Sequence, residues 1–166
     1  MTPLKKAAAL GIKGRLIVEN DTAFLRAVYA STRSAEVAST GWPPQIQQSF
    51  LAQQFAAQRA HYSAAYPNAE ALVLSKAKVD IGRLTLNETE AHFALIDIAF
   101  LPHYLGRGFG SAILTDLQTY ATKARKPIIL HVEQFNPAKR LYTRFGFVTC
   151  EMGPVYHRME WKPENI

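Results

Sequence analysis

One cysteine, Cys150, leaves the chain no means of building an internal disulfide framework or a cysteine-based zinc cluster. It stands in an apolar, strand-like stretch, where a buried and inert thiol is expected. The five histidines are scattered at 61, 92, 103, 131 and 157, with no pair at metal-ligand spacing on one helix, so no metal site is expected. No apolar run approaches the roughly 20 residues that cross a bilayer. Residues 94–101 form one of the longest, and Asp97 interrupts it. Lys5 and Lys6 precede an Ala-Ala-Ala-Leu run that ends at Gly11, too soon for the apolar section of a signal peptide. These absences lead to the expectation of a cytoplasmic protein without membrane association. No repeat, low-complexity tract or linker-like stretch divides the sequence.

What is present fits one compact domain over 1–166. The 166 residues are too few for two ordinary domains, and 48% hydrophobic with 19% charged is a globular balance. The formal charge of +6 attracts anions, including phosphorylated cofactors. Its Lys and Arg residues are spread along the chain, with no run of five and no basic stripe or recognised motif. Nucleic acid is therefore not an expected partner.

The pattern of apolar residues predicts the elements. Leu16-Ile17-Val18 reads as a first strand, followed by a helix over 22–35 capped by Asn20 or Asp21. Gly41-Trp42-Pro43-Pro44 breaks it, and a second helix over 44–61 places Ile46, Phe50, Leu51 and Phe55 on one face. Segments 69–76, 78–86 and 91–101 predict an antiparallel meander with a turn at Asn87-Glu88. The third is apolar enough to be central and covered on both faces. A helix over 108–123, a strand over 127–133, a helix over 137–145 and strands over 147–152 and 156–161 complete the chain. The strand–turn–helix–strand order implies a right-handed crossover, making 91–101 and 127–133 parallel neighbours. The fold class is α/β, with a mixed, mostly antiparallel central sheet and helices on both faces.

Between the central strand and its helix stands Gly106-Arg107-Gly108-Phe109-Gly110-Ser111. Several amides at a helix start would point into one concavity there, with the positive end of the dipole behind them. Glycines let a phosphate approach the backbone closely, and Arg107 adds a donor. No Lys follows the last glycine, as a nucleoside-triphosphatase loop requires. The third glycine of a dinucleotide-binding turn is Ser111 here. A plain glycine turn serving helix–strand packing is the other explanation.

Two segments together resemble the GNAT superfamily of acyl-CoA-dependent N-acyltransferases. Ile98-Ala99-Phe100-Leu101-Pro102 followed by Leu105-Gly106-Arg107-Gly108-Phe109-Gly110-Ser111 is similar to the family's strand and Gln/Arg-x-x-Gly-x-Gly/Ala turn. Asn136 to Phe147, which includes Leu141-Tyr142 and Gly146-Phe147, is similar to its second signature. Leu105 departs from the pattern, standing where the family has Gln or Arg; this shifts the phosphate contacts to backbone amides and Arg107. The resemblance implies that the parallel strand pair is splayed and that acetyl-CoA is the co-substrate. It implies a pantetheine arm along the backbone of Ile98, Ala99 and Phe100, pyrophosphate on Gly106 to Ser111, and Asn136 reaching the pantetheine. It also implies a possible homodimer through the closing strands.

Transfer to an amine requires a proton for the departing thiolate and removal of a proton from the amine. Tyr142 matches the family's acid position, and a phenol stays protonated at neutral pH. Asp97, in apolar surroundings that raise a carboxylate's pKa, is the first candidate base, or else a buried carboxylate satisfied by its neighbours. Glu133 and His131 are alternatives on one face of the next strand. The acceptor is expected between the first two helices, where Tyr29, Arg33, Glu36 and Trp42 fall. There Glu36 holds an ammonium and Arg33 a carboxylate, or the two pair at i, i+3. A degenerate acyl-CoA-binding module without turnover is the competing function.

Overall fold

The computed structural model describes residues 4–164. Its elements are α1 (Lys5–Ala9), β1 (Ile12–Leu16), α2 (Thr22–Ala38), α3 (Pro44–Ala65), β2 (Glu70–Lys76), β3 (Val79–Glu88) and β4 (Phe93–Phe100). There follow α4 (Phe109–Ala124), β5 (Ile128–Glu133), α5 (Ala138–Arg144), β6 (Val148–Met152) and β7 (Tyr156–Trp161). The strands form one sheet in the order β1-β2-β3-β4-β5-β7-β6. Every neighbouring pair is antiparallel except β4 with β5.

Alternation along the strands sends apolar side chains to both faces. Leu72, Leu74, Leu84, Phe93, Leu95 and Leu130 join Phe109, Ile113, Leu114 and Leu117 of α4 in the larger core. Val73, pointing the other way, packs with Leu25 and Tyr29 of α2 and Phe55 of α3 in a smaller one. Helices thus cover both faces, as the mixed α/β class requires.

Two local predictions were displaced at the N-terminal end. The first strand lies at Ile12–Leu16, not 16–18, and α1 precedes it. Five residues form no stable helix alone. Both oxygens of the buried Asp116 carboxylate on α4 accept from its first turn, Lys6 N at 2.8 Å and Ala7 N at 2.9 Å. Asp116→Ala should destabilise the protein by roughly 2–4 kcal/mol, since hydrogen bonds to a charged group contribute about 1.5–3 each; urea denaturation reads this directly. Asp21 stands at the start of α2 but does not cap it. Its carboxylate instead accepts from Arg15 and from the Val18 amide.

Those contacts, the Arg15 bond above all, hold the Asp21 carboxyl down to about 2 against an ordinary 3.8. A carboxyl with a lowered native pKa contributes stability that is present above the unfolded pKa and is lost as pH falls through the native one. Arg15→Gln should therefore raise the pH midpoint of acid unfolding, read by far-UV circular dichroism.

Elsewhere the corrections are smaller. Asn87 and Glu88 continue β3, paired with Ala94 and Phe93, and the turn falls at 89–92, closed by Thr89 and His92. Both long helices outrun their predicted ends, α3 by a full turn. Cys150 is exposed, contrary to expectation, because β6 is an edge strand; Arg158 Nη1 donates to its sulfur at 3.0 Å. No helix among the described residues is long and apolar enough to cross a membrane.

Candidate active site

The site begins with a break in the sheet. Thr85 pairs with Asp97 but Leu86 with Leu95, so Ile96 is an extra residue that bulges β4. Parallel pairing of β4 with β5 runs from Phe93↔Ile128 to Leu95↔Leu130 and ends there. β5 goes on with β7 as far as Glu133↔Tyr156, while β4 stays on β3. Beyond Leu95 the two strands diverge, and the β5-facing edge of β4 has no strand partner. This explains why a strand expected to be covered on both faces is buried only over Phe93, Ala94, Leu95 and Phe100, while Ile96 to Ala99 are half-buried.

Gly82 makes the neighbouring register possible. A side chain there would collide with the Ala99 carbonyl oxygen and come within 2.8 Å of the Phe100 ring, so only glycine lets β3 lie this close to β4.

At the mouth of the opening lies the glycine turn. Gly106 and Gly108 have left-handed φ of 70° and 79°, and a Cβ on either would meet no atom within 4 Å. The positions Cβ atoms would take face open space. The six consecutive amides from Gly106 to Ser111 have no protein acceptor among the described residues; the first bond of α4 runs from Ala112 N to Gly108 O. Six unpaired donors at the start of a 16-residue helix suit a pyrophosphate group. Gly108→Ala should lower stability by about 1–2 kcal/mol, the cost of a left-handed L-residue, as measured by thermal unfolding. Arg107 is exposed at the rim, donating to His103 Nε2 at 3.2 Å with its guanidinium over Tyr104. Leu105 is 61% exposed. Asn136 turns its side-chain oxygen to the Ala138 amide, 2.9 Å away, at the start of α5.

Tyr142 on α5 and Asp97 on β4 stand near enough for the charge of Asp97 to act on the Tyr142 hydroxyl. Tyr142, on α5, is buried against Phe147 in the larger core. Its hydroxyl has no protein hydrogen-bond partner among the described residues. Burial pushes its pKa upward, and the charge of Asp97 adds to that shift. Asp97 pairs with the guanidinium of Arg83, a buried residue of β3 that sequence reasoning missed. Burial raises the Asp97 carboxyl, opposed by Arg83 and then by Arg33. Arg83 also lies over the Tyr29 ring at 5.8 Å and donates to Gln58 Oε1 at 3.3 Å.

Two clefts open on the face covered by α2 and α3, and Gln58 and Tyr62 line both. The first, about 260 Å³, reaches Asp97, Arg83 and Thr85 at its floor and has Leu25, Phe55 and Tyr66 among its walls. The second holds Tyr29, Arg33, Glu36 and Glu133. Arg33 does meet Glu36, at 3.5 Å, but its closer partner is Glu133 at 2.7 Å. The pair joins α2 to the end of β5. His131 is exposed. Trp42 packs edge-on against Phe50 and lines neither cleft. Tyr62 is pushed up to about 12 by burial and by Asp97.

The chain belongs to the Acetyltransferase (GNAT) family, whose pattern it matches over residues 35–147. Acyl transfer is the class of chemistry that this membership carries. Among solved structures, it resembles the PaiA N-acetyltransferase of Thermoplasma acidophilum, which was solved with coenzyme A. The two share 16% identity, 91% of this chain and 98% of that one, with a TM-score of 0.66. An acetyltransferase from Thermus thermophilus gives 0.65 at 16% identity over 91% and 96%. A GCN5-related N-acetyltransferase from Rhodopseudomonas palustris gives 0.63 at 18% over 90% and 94%. No curated protein matches the chain.

Proposed function

We propose that the protein is an N-acetyltransferase that moves the acetyl group of acetyl-CoA to a primary amine by direct attack. The observation that carries this reading is the run of six unpaired amides, Gly106 to Ser111, beside the unpartnered edge of β4. When bound, acetyl-CoA supplies a thioester whose acyl carbon an amine can attack. The backbone of Ile98, Ala99 and Phe100 offers the hydrogen-bonding edge for an extended arm. Gly106 to Ser111, with Phe109 and Gly110 opening α4, hold the phosphates, and Arg107 stands at their rim. Asn136 spends its carbonyl oxygen on Ala138 and keeps its amide donor for the arm.

Tyr142 donates its hydroxyl proton to the leaving sulfur; its raised pKa keeps that proton in place at neutral pH. Asp97 receives the amine's proton, directly or through water, and its raised pKa brings it closer to the operating range of a general base. The acceptor approaches from the α2 and α3 face, so that amine and thioester meet where the strands part.

Release of free thiol from acetyl-CoA across a panel of amines tests this proposal. Amine-dependent release is expected, and it should be lost in Asp97→Asn. Acetyl-CoA binding without release for any amine would support a binding module without turnover, a reading to which Leu105 lends some weight.

A further inference from the structure

We infer that the acceptor carries an anionic group, a carboxylate in the first instance, which docks on Arg59 and Ser63 while its amine lies at Asp97. This rests on the acetyltransferase reading and names the acceptor class for that site.

Helix α3 lines the first cleft with one face, carrying Phe55, Gln58, Arg59, Tyr62 and Ser63, and Tyr66 follows at its C-terminal cap. The fixed charges along that cleft are Arg59, Arg83 and Asp97. Arg83 and Asp97 neutralise one another. Arg59 therefore remains as the uncompensated charge. Its guanidinium lies over the Phe55 ring at 5.7 Å and donates to Thr22 Oγ1 at 3.2 Å, and no carboxylate pairs with it among the described residues. One turn further on, Ser63 supplies a hydroxyl. The Ser31 and Thr143 hydroxyls bond back to carbonyls of their own helices, but that of Ser63 has no protein partner among the described residues.

A guanidinium placed over an aromatic ring, with a hydroxyl one turn away, can recognise a carboxylate by charge-assisted hydrogen bonds. Phe55, Tyr62 and Tyr66 give an apolar bed for whatever joins that carboxylate to the amine. The second cleft is the rival. Its ionisable residues include Glu36 and Glu133 against one arginine, so it would favour a cationic acceptor. Arg33 already occupies both carboxylates there, and Asp97 lines only the first cleft. A purely cationic amine would meet an unpaired positive charge in the same cleft as Asp97.

The test pairs amines that differ only in a carboxylate: α-amino acids, ω-amino acids and their decarboxylated counterparts, each assayed by thiol release. Carboxylated acceptors should show kcat/KM at least tenfold higher than their counterparts. Arg59→Gln should lower kcat/KM for the carboxylated member at least tenfold more than for its counterpart, chiefly through KM, with Ser63→Ala acting in the same direction. A preference for decarboxylated amines, or equal losses on both members in Arg59→Gln, would overturn the inference. Should no acceptor turn over, the melting temperature decides. Carboxylated amines at millimolar concentration should stabilise the native protein and not Arg59→Gln. An equal response of the two proteins, or none from either, overturns it. Failure of the parent reading is separate: it would show as no response to acetyl-CoA, whose proposed contacts do not include Arg59.

Discussion

Tyr142→Phe is expected to lower kcat by roughly 10²–10⁴-fold, the range that a positioned acid contributes, while acetyl-CoA still stabilises the variant. The substitution removes one oxygen from a ring held by Phe147 and the larger core, so the fold should tolerate it. Among the described residues the missing oxygen has no hydrogen-bond partner to lose. Loss of turnover with retained binding would therefore report a proton donated during the reaction and not a packing defect. Because burial and Asp97 raise this hydroxyl above its ordinary 10, any alkaline fall in kcat that comes from it lies above pH 10. On the acid side, activity should fall as the amine and Asp97 become protonated. Full turnover by Tyr142→Phe with a good acceptor would remove Tyr142 from the chemistry.

Arg83→Met should be the most destabilising single change at the site, costing about 3–5 kcal/mol, because it leaves a carboxylate uncompensated in a largely buried position. The Asp97 side chain is 17% exposed and that of Arg83 8%. With the cation gone, the forces that hold the Asp97 carboxyl down weaken, and its pKa climbs further. A higher pKa makes the carboxylate less available as a base at a given pH, so kcat should fall together with stability. The double variant Arg83→Met, Asp97→Asn should regain much of the stability, since no buried charge remains, but not the activity. Chemical denaturation of the two singles and the double separates these effects through their non-additivity. A loss below about 1 kcal/mol in the single variant would mean that the pair is not what holds Asp97.

Much of the architecture was legible because apolar periodicity is long-ranged along a strand or helix. The order of elements after Thr22 follows from it, the parallel pair from the crossover that this order implies, and the turn from its glycines; β7 falls on 156–161 as read from sequence. What escaped depends on partners distant in sequence. Helix α1 depends on Asp116, 109 residues away from Ala7. Arg83 is a lone cation in an apolar strand, and its meaning appears only once the neighbouring strand sets Asp97 beside it. That signal was present: opposite charges in adjacent apolar strands of a meander, each costly to bury alone. Pairing of Arg33 with Glu36 is one of the two sequence readings and it forms, but local spacing does not show Glu133 as the closer partner. Ending α3 at His61 also hid Tyr62, Ser63 and Tyr66 from the acceptor site, because no breaker marks the helix end before Pro67. The burial of Cys150 was misjudged for a related reason, since apolar alternation does not tell an edge strand from an inner one.

The claim on which the account turns is that Gly106 to Ser111 and the open edge of β4 bind acetyl-CoA. Thermal unfolding with and without acetyl-CoA tests it most directly. At about a hundredfold excess over Kd, ligand stabilises a protein by roughly 2.7 kcal/mol; for a chain of this size that is a rise in Tm of about 5–10 °C. The rise should be present in the native protein and in Tyr142→Phe, and smaller or absent in Gly108→Ala at the same acetyl-CoA concentration. No rise in the native protein at millimolar acetyl-CoA would contradict the account.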